Sequence, residues 1–366
     1  MGQRQAYAGV VTMLAVWAMS AVPATAQAQL QGWSEGSAAR QVSMRELIPR
    51  MSSGQAYSER YGFSVDLEGG GHIGMDFTIS NLGIRSGYGA AQVRVRLPGQ
   101  ERYEYGERVG RGDWTTASDR FALDIARTQV EAQGADSFVL RHDGDVKVEL
   151  TFRNTMPMWR PGTGQIRQGE DYYRFTLISP RANVEGRVQI DGTWHEVRAE
   201  RAGYADHVAT NVAPYDLAKR FSRFRDYNDD VFVIWREIEL TEQFGGRTLT
   251  WAMVGVGDRI VFSDAAATLR PGNVNADSET GYQVPQAVQI EGESGQGQMR
   301  FVMRGDRVKK KDLLASYGRA ARLVASALSK PWEYTVHGDY ALEVEVGGRT
   351  VRKRGRAHYT VDFVNP

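Results

Sequence analysis

The sequence predicts an all-β protein built as two tandem antiparallel β-barrels with one late amphipathic helix. Three observations carry this expectation. Apolar and polar residues alternate with a period of two in many short runs between Tyr61 and Phe363. Glycine pairs and Asp-Gly steps separate the runs, as tight antiparallel turns require. A stripe at helical spacing stands out only after Asp312. Strands spaced this way argue for barrels or sandwiches rather than an α/β sheet. No self-similar period of about 20–50 residues is present, which disfavours a propeller or solenoid.

Met1 to about Ala28 is expected to lie outside the fold. Arg4 is followed by the uncharged, mostly apolar run Val10 to Val22 and by small residues at Ala24, Ala26 and Ala28. This is the pattern of a cleaved bacterial secretory signal peptide, and it predicts a periplasmic or secreted protein. No cysteine follows the apolar run, so a lipid anchor is not expected, and no second run is long enough to span a bilayer as a helix. The 366 residues contain no cysteine at all, which excludes disulfides, thiolate nucleophiles and Cys-based metal sites. Basic and acidic residues nearly balance, 45 against 44, so no global field favours a nucleic acid.

Residues 29–58 read as a polar leader with a short helix near Met44 to Met51. The first β-domain is expected over 59–200. Phe63, Val65 and Leu67 alternate with Ser64, Asp66 and Glu68, and Gly69-Gly70-Gly71 turns the chain into Ile73, Met75, Phe77 and Ile79 on one face. Val93 to Leu97, Phe121 to Ile125 and Phe138 to Arg141 follow. Asp143-Gly144 then makes a hairpin with Val146 to Phe152. Tyr172 to Ser179 and Val184 to Ile190 complete the half.

The second domain is expected over 201–366. Val231 to Leu240 begins apolar on both faces and is read as central; Thr248 to Val254 follows Gly245-Gly246. Arg259 to Phe262, Ala287 to Ile290 and Met299 to Met303 are further strands. Leu313, Tyr317, Ala320, Ala321, Val324 and Leu328 form the helical stripe, with Asp312 as cap and Pro331 beyond its end. Trp332 to Val346 and Thr350 to Phe363 meet at Gly347-Gly348. Arg307 to Lys311 and Arg349 to Arg356 are local basic segments, read as a solvated loop and an edge hairpin.

Chemistry concentrates in Gly203-Tyr204-Ala205-Asp206-His207-Val208-Ala209-Thr210-Asn211, placed at the junction of the two halves. Asp206 and His207 are the candidate catalytic pair. A carboxyl in an apolar pocket has its pKa raised and can protonate a carbon–carbon double bond ahead of water addition. The competing reading has Asp206 accepting backbone N–H bonds in a turn and His207 packing at the junction. Tyr204, Asn211, Trp235, Trp251 and Arg223 are candidate ligand contacts. The aromatic groups suit a flat or polyene molecule, and Arg223 among Arg220, Phe221, Phe224 and Arg225 suits a barrel mouth. Trp194 and His195 must point to opposite faces of a strand. His72, His142, His337 and His358 lack metal-ligand spacing, so no metal is expected. Nucleophile elbows and phosphate loops are absent too, and nothing calls for a cofactor.

Gly203-Tyr204-Ala205-Asp206-His207, Trp235-Arg236 and Lys330-Pro331-Trp332-Glu333-Tyr334 together resemble the calycin-like superfamily of tandem lipocalin-like domains. That group includes carotenoid 1,2-hydratases, AttH-like proteins, fungal survival-factor-type lipid carriers and fungal Diels–Alderases. The Asn-Trp-Gly that follows the His in these proteins is Val208-Ala209-Thr210 here. The resemblance implies two lipocalin-like barrels and leaves activity open among hydratases, cyclases and lipid carriers. With the signal-peptide pattern, the leading reading is an exported carrier of a hydrophobic small molecule, isoprenoid, fatty-acyl or polyketide-like. Its alternative is a cofactor-free hydratase, isomerase or cyclase with Asp206 as general acid. A structural envelope protein without a ligand is the third reading.

Overall fold

A computed structural model describes residues 29–35, 42–82, 86–226, 230–315 and 329–365. The expected signal peptide and most of the expected helix, from residue 316 to 328, lie outside these residues.

The first half is a meandering antiparallel sheet. It comprises β1 (Ser58–Leu67), β2 (Gly71–Ser80), β3 (Tyr88–Arg96), β4 (Tyr103–Val109), β5 (Trp114–Thr116), β6 (Ala122–Ile125) and β7 (Thr128–Ala132). It continues with β8 (Ser137–Asp143), β9 (Lys147–Asn154), β10 (Gln165–Gln168), β11 (Asp171–Ile190) and β12 (Thr193–Thr210). The twelve strands run in the order β4-β3-β2-β1-β12-β11-β9-β8-β7-β6-β5, with β10 beside β11. The path stops short of closure between β4 and β5. Both flanking strands are short, and the outer face of β4 is charged, which blunts the open edge.

A single short helical turn, α1 (Pro214–Leu217), leads into the second half. There β13 (Ala218–Asp226), β14 (Val231–Leu240), β15 (Thr248–Val256), β16 (Arg259–Ala276), β17 (Gln283–Ser294), β18 (Gly297–Asp312), β19 (Trp332–Val346) and β20 (Arg349–Phe363) form a closed eight-stranded barrel. Closure leaves no strand of this half with an unpaired edge. The helix expected near Met44 is a 3-10 turn, Met44–Leu47, held by a Ser43–Glu46 capping box.

The period of two sorts the side chains into three layers. Tyr61, Phe63, Val65, Phe77, Phe138 and Phe152 fill the first sheet. Phe224, Trp235, Phe262, Phe301, Tyr340 and Tyr359 fill the second barrel, with Phe224, Trp235 and Phe301 in mutual ring contact at 4.8–6.0 Å. A third apolar layer lies between the two halves. β11 supplies Tyr173, Phe175 and Leu177 to it, β14 supplies Phe232, Ile234 and Ile238, and β15 supplies Trp251 and Met253. Residues 29–35, expected as part of a polar leader, contribute to the same layer. Leu30 and Trp33 are buried there, and Gln31 exchanges backbone hydrogen bonds with Arg167 of β10. Gly162 must be glycine for this strap to pass. Its φ is +48°, and an added Cβ would stand 1.9 Å from the Trp33 carbonyl oxygen.

One buried cation ties the halves together. Arg181, on an irregular stretch of β11, donates from Nη1 to the Gly257 carbonyl at 2.7 Å and the Asp230 carbonyl at 3.3 Å. Both carbonyls belong to the second half, and the Arg181 side chain is almost wholly buried. Carbonyl acceptors, with that of Arg201 also accepting from Nε at 3.2 Å, help to satisfy the guanidinium, and the Phe232 ring lies 5.2 Å from it.

Candidate functional site between the two sheets

The residues from Gly203 to Thr210 form the end of β12, paired on one side with β1 and on the other with β11. The expected division at 200/201 falls inside this strand, and the stretch is neither a turn nor a loop. Strand geometry has a direct chemical consequence. Tyr204, Asp206 and Val208 face the inter-sheet layer, whereas Ala205 and His207 face into the first sheet. Asp206 and His207 are neighbours in sequence that work in different compartments.

Asp206 is 4% exposed and accepts three hydrogen bonds: from Arg60 Nη1 at 3.0 Å, Arg236 Nη2 at 2.5 Å and the Tyr204 hydroxyl at 2.9 Å. Arg60 comes from β1 and Arg236 from β14, so one carboxylate is shared by cations of both halves. Arg60 also pairs with Asp76 of β2, whose other oxygen is held by Arg94 of β3. Gly62 lies under this pair, and a Cβ there would meet Arg60 Nη2 at 2.7 Å and Asp76 Oδ1 at 3.0 Å. The Arg236 guanidinium stacks 4.2 Å over Phe175, and Arg225 lies 4.5 Å over Tyr204.

These charges decide the protonation of the site. Burial alone raises the Asp206 carboxyl, but the Arg236 and Arg60 guanidiniums and the Tyr204 hydroxyl outweigh it and hold it below the ordinary carboxylate range. Asp206 is therefore ionised at neutral pH and holds no proton to give. The general-acid role expected of Asp206 needs a raised carboxyl, and the two cations in this pocket act in the opposite direction. Tyr204 keeps its proton, pushed up to about 12 by burial and by the Asp206 charge.

On the opposite face, His207 Nε2 stands 2.9 Å from Glu59 Oε1, and its ring stacks on Tyr61 at 4.5 Å. Glu59 also accepts from Tyr57 at 2.5 Å, and Tyr61 lies 2.7 Å from it. Burial raises the Glu59 carboxyl, yet its bonds to His207, Tyr57 and Tyr61 bring it below the ordinary range. This is a closed, satisfied network inside the first sheet.

The other candidate residues are dispersed. Trp251 is in the inter-sheet layer with Tyr204, between Trp159 at 5.2 Å and Phe175 at 5.3 Å. Trp235 is inside the second barrel. Arg223 lies on the outside of that barrel, bonded to Glu333 at 3.0 Å and to Asp362. Asn211 clamps the 170–172 turn, accepting from the Tyr172 N–H at 2.7 Å and donating to the Glu170 carbonyl at 3.0 Å. The structure thus joins Tyr204, Asp206 and Trp251, and separates them from His207, Asn211, Trp235 and Arg223. Two indole N–H groups of the inter-sheet layer, on Trp33 and Trp251, are buried with no hydrogen-bond partner. Such donors are costly to leave unpaired. Among the described residues no group of three or more His, Asp or Glu is placed to hold a metal ion.

The same two-part architecture recurs in solved proteins of low sequence identity. The AttH-like protein of Nitrosomonas europaea superposes with a TM-score of 0.52 at 13% identity, over 86% of this chain and 96% of that one. CghA, solved with Sch210972, gives 0.57 at 12% identity, over 93% and 97%. The fold is that of the tandem lipocalin-like proteins. Kievitone hydratase from Nectria haematococca gives 0.50 at 11% identity, over 91% and 98% of the two chains. In sequence, the lipocalin-like pair matches the ceramide-binding protein SVF1 of Yarrowia lipolytica at 22% identity over 244 residues. That match spans 60% of this chain and 61% of the relative's length. No family model matches the chain.

Arg60, Asp76, Arg94 and Glu59 complete the charge clusters but were not among the expected site residues. A signal was present. Glu59 and Arg60 directly precede Tyr61-Gly62-Phe63, and extending that alternation backwards puts Glu59 with Tyr61 and Phe63 on the buried face.

Proposed function

We propose that this chain binds a hydrophobic small molecule of lipid type between its two halves, with the Asp206–Arg236–Arg60–Tyr204 cluster at the polar end. The carrying observation is the aromatic inter-sheet layer that ends on this cluster and contains two unpartnered indole donors, on Trp33 and Trp251. An elongated apolar molecule with a polar head fits that sequence of environments, its head able to accept from indole N–H or guanidinium groups. The SVF1 relative is named for ceramide binding, and CghA was solved with a small molecule, which supports the same class of ligand here. The signal-peptide pattern of residues 1–28 makes an exported carrier the fullest form of the proposal.

The hydratase on the same fold supports an enzymatic alternative. In that case the proton donor is a group other than Asp206, and Tyr204, which keeps its proton beside it, is the first to test.

Native mass spectrometry of the purified chain, with organic extraction of what it carries, tests the reading. A stoichiometric lipophilic adduct, or uptake of ceramide or fatty acid that quenches tryptophan emission, is expected. Trp251→Phe should reduce that quenching. A clean mass with no uptake from a total lipid extract overturns the proposal. Turnover of a bound alkene that is lost in Tyr204→Phe with binding retained would decide for the enzyme.

A further inference from the structure

The two basic segments at Arg307 to Lys311 and Arg349 to Arg356 are separate in sequence, and the barrel brings them together. β18, β19 and β20 are adjacent, and their registers set four cross-strand rows on the outer face. These are Val302–Ala341–Arg354, Arg304–Asp339–Arg356, Arg307–His337–His358 and Lys309–Thr335–Thr360. Rows of every second residue are about 6.8 Å apart and neighbouring strands about 4.8 Å apart, so the patch measures about 20 Å by 10 Å. Arg304, Arg307, Lys309, Arg354 and Arg356 are all exposed. Among the described residues of these strands, two carboxylates sit within the patch, Asp306 and Asp339, both bound to Arg356, and the Asp66 charge of β1 reaches His358. Among the described residues, Arg304, Arg307, Lys309 and Arg354 have no carboxylate partner.

Two further features give this face a direction. At the other end of the same strands an open groove of about 580 Å³ is lined by Asp264, Glu291, Glu293, Glu343 and Glu345 together with Arg300. Glu291 and Glu343 are paired with Arg270 and Arg352, and the remaining carboxylates make that end the more acidic one. On its other side β20 pairs with β13, where Thr360 stands opposite Arg223, and β13 also carries Arg225 over Tyr204. β13 therefore links the β18–β20 face to the polar edge of the inter-sheet layer, with Arg223 between them held by Glu333 and Asp362.

We propose that the β18–β20 face docks the protein on an anionic phospholipid surface. A flat array of uncompensated cations on a nearly neutral chain is attracted to such a surface over a Debye length of about 8 Å. The acidic groove is repelled from it, so one orientation wins, and that orientation sets the inter-sheet edge beside the bilayer. The docking surface stands on the charge distribution; the ligand proposal gives it a use, the transfer of a lipid between bilayer and protein.

Vesicle flotation of the full chain tests this with phosphatidylcholine alone and with phosphatidylcholine plus phosphatidylserine, at low and high salt. Binding only to the anionic vesicles, weakened by salt, is expected. Each basic residue near such a surface contributes about a factor of five, so the triple variant Arg304→Gln, Arg307→Gln, Lys309→Gln should bind on the order of 100-fold more weakly. Arg198→Gln, an exposed cation on the first sheet, should bind as wild type. Circular dichroism and lipid uptake in detergent-free solution should be unchanged in the triple variant, which separates failure of docking from failure of the ligand site. Equal binding to neutral vesicles, no binding to anionic ones, or an equal loss in Arg198→Gln overturns the proposal. Capture by soluble dextran sulfate without vesicle binding would assign the face to a polyanion instead.

Discussion

Replacing Asp206 by Asn tests the central electrostatic argument. The substitution keeps shape and one acceptor, and removes the charge that Arg236 and Arg60 share. Arg60 retains Asp76, so its loss is partial. Arg236 keeps only the Tyr204 hydroxyl at 3.3 Å and the face of Phe175. Removing one partner of a buried pair costs about 3–5 kcal/mol, and the residual contacts and the retained amide oxygen reduce this to about 2–4 kcal/mol at pH 7. The sign of the pH dependence follows from the lowered carboxyl. Its folded-state pKa is below the unfolded value of about 3.9, so the stabilisation is complete above that value and is lost as pH falls through the folded pKa. Urea unfolding followed by tryptophan emission at neutral and acid pH reads both effects. The gap between wild type and Asp206→Asn should be widest at pH 7 and should close in acid. Adding Arg236→Met to the variant should recover part of the loss, since no unpaired cation then remains buried. A variant within about 0.5 kcal/mol of wild type at pH 7, or a gap that widens on acidification, would refute the account of an ionised, cation-locked Asp206.

Other variants probe other parts of the molecule. Arg181→Met removes the donors to Gly257 and Asp230, and should cost about 1–3 kcal/mol and expose the 211–217 connection to earlier proteolytic cleavage. Unchanged proteolysis would show that the strut is dispensable. Glu59 is also held below the ordinary carboxylate range, so Glu59→Gln should flatten the decline of stability between about pH 5 and pH 2; an unaltered slope would assign that decline to other carboxylates. Gly186 has φ +146° and a Cβ there would stand 2.0 Å from the Glu149 carbonyl oxygen, so Gly186→Ala should lower stability by about 1–3 kcal/mol, read as a fall in Tm.

Much of the fold was legible because strands advertise themselves by alternation. Parity puts Phe63, Val65 and Leu67 on one face of their strand and Ile73, Met75, Phe77 and Ile79 on one face of the next; all but the half-buried Leu67 are buried in the first core. Lipocalin-like closure came from a resemblance over few residues, since parity states which face is buried and leaves open what buries it. The same limit explains the site. Asp206 and His207 read as a pair because they are adjacent, yet a strand sends adjacent side chains to opposite faces. The Trp194–His195 reasoning, applied to them, would have parted them. Arg60 and Arg236 are 176 positions apart in number, and only the packing of β1 near β14 puts both on one carboxylate. Trp33 was hidden differently: an apolar residue in a polar stretch carries no period, and its burial follows from a backbone exchange with Arg167 that no local pattern encodes.

The registers also fix when each half can exist. β1 pairs with β12, joining Ser58 to Thr210, and β13 pairs with β20, joining Arg220 to Phe363. The earliest strand of each half thus waits for its latest-made neighbour. At synthesis rates of about 5–20 residues per second, β1 stands with one flank unpaired for roughly 8–30 s before β12 emerges. Pairings this distant in sequence also form slowly once both partners are available. Until then each half keeps one flank of its first strand open, and the two halves set like locks whose last pin is the final strand.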